Sequence, residues 1–161
     1  MATPQDRLER LRNELPSPPK PQGLYVPAVH LTEHGLLYIS GHGPTKKDGG
    51  WVTGKVGADC TTEDGRAAAR LTALAMLATI ESVLGNVNRV KRVVKSLCMV
   101  NAVTTFTEHI TVANGYAEVM QDVFGSSGVG SRSAVGMGSL PSNIPFEVEA
   151  LVEVEQTASK I

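Results

Sequence analysis

The chain has 161 residues, a formal net charge of −1, 42% hydrophobic residues, 19% charged residues and only 4% aromatics. That length suits one domain with a full-sized core, built from Val, Leu and Ala rather than from rings. The near-neutral, mixed charge offers no basic surface to a nucleic-acid backbone or an anionic membrane, and no apolar run is read as approaching the ~20 residues that cross a bilayer.

The N-terminus is charged and leucine-spaced, without the apolar region of a signal peptide, and Asp6, Glu9 and Glu14 argue against a matrix-targeting peptide. Cys60 and Cys98 lie far apart without a CxxC or a histidine companion, which predicts a reduced, cytoplasmic chain and no zinc site.

In chain order, residues 3–15 predict a short helix: Thr3 caps it, Pro4 takes the first helical position, and Leu8, Leu11 and Leu15 form a stripe that must dock on this domain or on a neighbouring subunit. Pro16, Pro18, Pro19 and Pro21 then make an extended linker, so residues 1–21 divide from a domain over 22–161. Residues 24–31 and 36–40 are strands joined by a hairpin turn at Thr32-Glu33-His34-Gly35, with Pro27 demanding an edge position for the first. Ser40-Gly41-His42-Gly43-Pro44 ends the second strand in a glycine-rich loop, and Trp51-Val52-Thr53 predicts a short return strand.

Thr61 to Leu84 predicts a long helix, with a threonine cap, Glu63 and Asp64 in the first turn, and Gly85 closing it. Residues 89–102 predict an interior strand, since both faces are apolar after Lys95. Phe106 to Phe124 predicts a second helix with Ile110, Ala113, Ala117 and Met120 on one face. Gly115 in its middle costs about 1 kcal/mol, which points to a close approach, a kink or a later helix start. The stretch from Ser131 to Glu155 reads as strand, tight loop at Leu140-Pro141-Ser142-Asn143, and strand. From Phe146 the alternation is strict, with Phe146, Val148, Ala150, Val152 and Val154 on one side. The element order gives an α+β fold in a single layer pair.

Several motifs carry bland explanations. The glycine run from Gly125 to Gly130 follows a helix rather than a strand and lacks the lysine of a phosphate loop. The histidines show no ligand spacing, Cys98 in a central strand reads as a small buried hydrophobe, and Ser40 lacks a nucleophile-elbow frame. Arg132 stands apart. It sits among Ser133, Ala134, Val135 and Gly136, and a guanidinium there needs a partner: either an internal glutamate or a carboxylate brought by a ligand and gripped by two parallel hydrogen bonds. Glu147 opens the last strand, and its acidic face reads either as a solvated strand face or as the group that positions a water.

The motifs LYVPAV, LLYISGHGP, GKVGAD, VKRVVKSLCMVN, NGYAEVMQDVFG and RSAVGMGSLPSNIPFEVEALVEV together resemble the Rid/YjgF family of imine and enamine deaminases over about residues 22–155, in its longer Arg-Ser-Ala-Val-Gly version. The resemblance implies a chorismate-mutase-like mixed sheet with two helices on one face, a homotrimer, and clefts between subunits. It implies hydrolysis of 2-imino acids to 2-keto acids and ammonia without metal or organic cofactor. An older label for some relatives, a ribonuclease or translation inhibitor, is disfavoured by the neutral charge and sparse aromatics; a non-catalytic carboxylate-binding module stands as the other alternative. Residue by residue, Arg132 matches the carboxylate anchor, Glu147 the water-positioning glutamate, Ser40 the serine at the strand end, Tyr25 the N-terminal tyrosine and Asn114 the helix asparagine. Ala134 stands where many members carry a cysteine that contributes through its backbone, and His42 stands where glutamine is usual, which predicts a titratable group at the pocket mouth.

Overall fold

A computed structural model describes residues 1–156; the last five residues of the predicted domain lie outside the described residues. The elements are α1 (Pro4–Arg10), β1 (Ala28–Leu31), β2 (Leu36–His42), α2 (Thr62–Leu84), β3 (Val90–Asn101), α3 (His109–Phe124), β4 (Ser131–Met137) and β5 (Phe146–Val154). The five strands form one mixed sheet in the order β1-β2-β5-β3-β4, antiparallel except for the parallel β3–β4 pair. α3 makes the crossover that a parallel pair requires. α2 and α3 pack on each other and on the same sheet face, where Leu37, Ile39, Val93, Cys98, Val100, Phe146, Val148, Ala150, Val152 and Val154 are buried.

The strongest local signals form what they predict. Thr61 accepts from the Asp64 amide while the Asp64 carboxylate accepts from the Thr61 amide, a reciprocal capping box, and Gly85 ends α2 in the left-handed region at φ 75°. The alternation of β5 places Phe146, Val148, Ala150, Val152 and Val154 against the helices. Cys98 is buried, and burial pushes its thiol up to about 12, so it behaves as a small hydrophobe.

Other expectations need correction. α1 ends at Arg10, yet Leu8 and Leu15 are both buried in this chain's own core, with α1 resting on α3. β1 begins only at Ala28, because Pro27 has no amide to give a ladder. The return strand at Trp51 is a single bridge to Thr45. α2 does pass for a membrane span by length and composition, with mean hydropathy 1.5 over its most apolar window; 67% of that window is buried inside the domain, where an apolar helix covers the sheet. β4 and β5 are not neighbours, since β3 lies between them.

α3 starts at His109, and its predicted stripe is turned. Ile110 is 65% exposed, while Val112, Ala113, Tyr116, Val119, Met120 and Val123 are buried. Gly115 lies beside this buried face against α2, where a Cβ would overlap the Arg66 carbonyl oxygen. Gly115→Ala is therefore expected to destabilise the protein by about 2–3 kcal/mol despite alanine's better helix propensity. Urea unfolding at fixed protein concentration reads this; an unchanged or raised midpoint would show that the helices are free to part.

Candidate functional site

Glu147 is built into a cleft of about 490 Å³ lined by Gly23, Tyr25, Ser40, Gly41, Gly43, Trp51, Pro141, Ser142, Ile144 and Glu149, among others. β2 shapes its floor. Ile39 pairs with Ala150 and His42 with Val148, so three residue steps on β2 oppose two on β5, a bulge at Ser40-Gly41. The bulge leaves Gly41 directly under the Glu147 carboxylate, where any Cβ would overlap Oε1. Ser40 donates its hydroxyl proton to the Val26 carbonyl at 2.7 Å, which ties the N-terminal segment carrying Tyr25 to the strand end. Tyr25 is 48% exposed, and its hydroxyl accepts from the Gln22 amide at 3.2 Å. Glu147 is half-buried. Burial pushes its carboxyl above the usual range, and Glu149, two residues along the same strand face, pushes it the same way. A carboxylate destabilised in this way takes a proton readily, as a general base should.

The bulge also overturns the expectation for His42. The extra residue turns its side chain toward the helices, where it is 5% exposed. Nδ1 lies 2.7 Å from the Ser40 carbonyl oxygen and Nε2 lies 2.8 Å from Thr79 Oγ1. Since a carbonyl only accepts, Nδ1 carries the proton and Nε2 takes the threonine hydroxyl. Burial lowers the pKa of this ring, so it is a neutral brace between bulge and α2 and not a titrating group at the cleft mouth.

Arg132 lies elsewhere. It pairs in register with Ser96, whereas Glu147 pairs with Met99. Ser96 and Met99 are three residues apart on one strand, so their faces are opposite: Ser96 bonds the Tyr116 hydroxyl of α3 at 3.0 Å, while Met99 belongs to the face without helices. Arg132 and Glu147 are thus separated by about 10 Å along the strands, by two strand spacings of about 4.8 Å, and by the sheet itself. The guanidinium is partly buried at the edge of the sheet. Nη1 donates to the Ala113 carbonyl at 3.1 Å and Nη2 to Asn114 Oδ1 at 3.0 Å. Among the described residues no carboxylate pairs with it. Ala134, half-buried and paired with Cys98, continues the same strand face, so Arg132, Asn114 and Ala134 form one group and Glu147, Ser40 and Tyr25 another.

Among the described residues a single chain therefore holds an acid without a cation on one sheet face and a cation without an acid on the other. Residues 6–153 match the family described as "YjgF/chorismate mutase-like, putative endoribonuclease". The chain belongs to this family. Its relatives include the protein TCP17 of Trypanosoma cruzi, 40% identical over 148 residues that make up 91% of each chain. Solved structures of similar fold include Atu1372 of Agrobacterium tumefaciens, at 35% identity and TM-score 0.84 over 95% of this chain and 92% of that one. A second, described as a "putative endoribonuclease" of Shewanella oneidensis, is 28% identical with TM-score 0.88 over 95% of this chain and all of that one. The family's mixed sheet with helices on one face is the fold found here.

Sequence reasoning missed Trp51, Ile144, Pro141 and Glu149 as cleft residues. Glu149 carried a signal, since it shares a strand face with Glu147; Trp51 carried one only as the single tryptophan, placed in a polar loop.

Proposed function

We propose that the protein hydrolyses 2-imino or 2-enamino acids to 2-keto acids and ammonia, in clefts completed by a neighbouring copy of the same chain. The observation that carries this reading is the separation of the two half-sites: each lacks the opposite charge that the other holds. A substrate with a carboxylate at one end and an iminium at the other is complementary to both at once. The face of the sheet without helices supports self-association, because it leaves Val29, Leu31, Tyr38 and Val135 exposed on one surface that no element among the described residues covers. A closed trimer is the assembly proposed.

In this reading the Arg132 guanidinium of one protomer binds the substrate carboxylate through its remaining N–H groups, held in aim by Ala113 and Asn114. Glu147 of the other takes a proton from a water that adds to the carbon of the protonated imine. The proton passes to the nitrogen of the carbinolamine. As the C–N bond breaks, the carbinol hydroxyl gives its proton to Glu147, the C=O forms, and the leaving ammonia carries that proton away as ammonium. Ser40 and Tyr25 shape the pocket, and Ala134 leaves room beside the anchor. The solved structure of E. coli TdcF, 21% identical and sharing the fold, is described with bound serine. Release of keto acid and ammonia from imines generated in situ by an amino-acid oxidase tests the reading. Binding of keto acids without turnover on any imine would favour a carboxylate-sensing module instead, and purified RNA cleavage abolished by Arg132→Ala would favour the ribonuclease.

A further inference from the structure

The Glu147 cleft has a second end, and its chemistry differs from the first. Two residues beyond Gly41, about 6–7 Å along extended backbone, lies Gly43. It is covered by side chains: a Cβ there would come within 2.7 Å of Ile144 Cδ1 and 2.8 Å of Trp51 Cζ3. Trp51 and Ile144 thus cover the strand two residues beyond the point that the carboxylate covers, and Pro141 lines the same cleft, so that the three make an apolar wall.

The wall is rigidly mounted. Pro141 and Ile144 flank a tight turn in which Ser142 and Asn143 both adopt left-handed backbone, at φ 53° and 54°. Non-glycine residues hold that conformation only where their surroundings impose it. Here the Asn143 carbonyl accepts from the Gly54 amide at 2.7 Å, and Asn143 Oδ1 accepts from Nδ2 of the fully buried Asn101 at 3.0 Å. Lys55 in turn donates to Asn101 Oδ1 at 2.6 Å. Trp51 is fixed on the other side by its bridge to Thr45 and by the Val52 amide bonding the Pro44 carbonyl at 3.1 Å.

The cleft's volume falls within the roughly 300–1,000 Å³ of sites that enclose drug-sized ligands. An imino acid bearing only a methyl group would leave this wall wetted and unused. We propose that the site selects imino acids with large apolar side chains, aromatic or branched aliphatic, with Trp51, Ile144 and Pro141 as the surface that recognises them. This rests on the deaminase reading for the reaction but on the wall alone for the preference.

The experiment measures both properties on the assembled full chain. Calorimetry compares pyruvate, 4-methyl-2-oxopentanoate and phenylpyruvate; turnover compares the imines generated from alanine, leucine and phenylalanine. Each buried methylene contributes about a fourfold gain, so preference for the two larger ligands should be at least about tenfold in affinity and in kcat/KM. Trp51→Ala should collapse that ratio, and Trp51→Phe, which retains a ring, should restore most of it. Equal affinities across the series, no binding by any of the three keto acids, or a ratio unmoved by Trp51→Ala overturns the proposal. Turnover absent on every imine with the affinity ratio intact retires the deaminase reading and leaves size selection standing. Equal turnover of all three imines does the reverse.

Discussion

Replacing Arg132 with alanine is expected to lower kcat/KM on imino acids by about 10²–10⁴-fold, because two hydrogen bonds to a charged group, worth about 1.5–3 kcal/mol each, are lost from the bound substrate. Among the described residues the side chain binds nothing charged. Its two bonds go to a backbone carbonyl and an amide oxygen of α3. The folded protein should therefore survive the change with little loss of thermal stability, and keto-acid affinity should fall in step with activity. Arg132→Lys keeps the charge without the planar fork, so it should recover only part of the loss. Steady-state kinetics together with a melting curve separate the outcomes. Wild-type rates in Arg132→Ala would remove the guanidinium from the mechanism.

Glu147→Gln is expected to cost about 10²–10⁴-fold in kcat, the usual contribution of a positioned general base. The wild-type rate should rise with pH through an apparent pKa above that of an ordinary glutamate, since burial and Glu149 both favour the protonated form. Linkage then fixes the sign for stability. The folded state keeps this proton to higher pH than the unfolded chain does, so the contribution of Glu147 to stability is present at low pH and is lost as pH rises from the ordinary carboxylate value through the raised one. Above that window the charged side chain is a cost, and Glu147→Gln should be as stable as the wild type or more so. A variant that loses activity and gains thermal stability at neutral pH would carry the signature of a group held for chemistry. A variant that melts earlier at every pH would show that Glu147 serves the fold.

Much of this was readable from local pattern. The capping box at Thr61 and Asp64, the left-handed Gly85 and the period-two burial of β5 each follow from interactions within a few residues, and local rules describe such interactions well. Gly115 announced a close approach by breaking a helix rule, although the partner, the Arg66 carbonyl, could come only from the packed structure. What escaped reading depends on register and on chain crossings. One extra residue at Ser40-Gly41 reverses the facing of His42, and no composition signal marks a bulge of that kind. The insertion of β3 between β4 and β5 parts Arg132 from Glu147, and their odd register offset along β3 puts them on opposite faces, although a short loop joins their two strands in sequence. The wall of Trp51 and Ile144 is assembled from two loops by a bridge and by the left-handed Asn143, none of it periodic.

In the proposed trimer each working site takes Glu147 from one protomer and Arg132 from another. Mixing the two inactive variants, Arg132→Ala and Glu147→Gln, after joint unfolding and refolding at equal concentrations tests it most directly. In randomly mixed closed assemblies about a quarter of the shared sites combine an intact arginine with an intact glutamate. About a quarter of wild-type imine hydrolysis should therefore return on mixing, while neither variant refolded alone recovers any. Mixed assemblies, verified by mass spectrometry, that stay as inactive as their parents would contradict it.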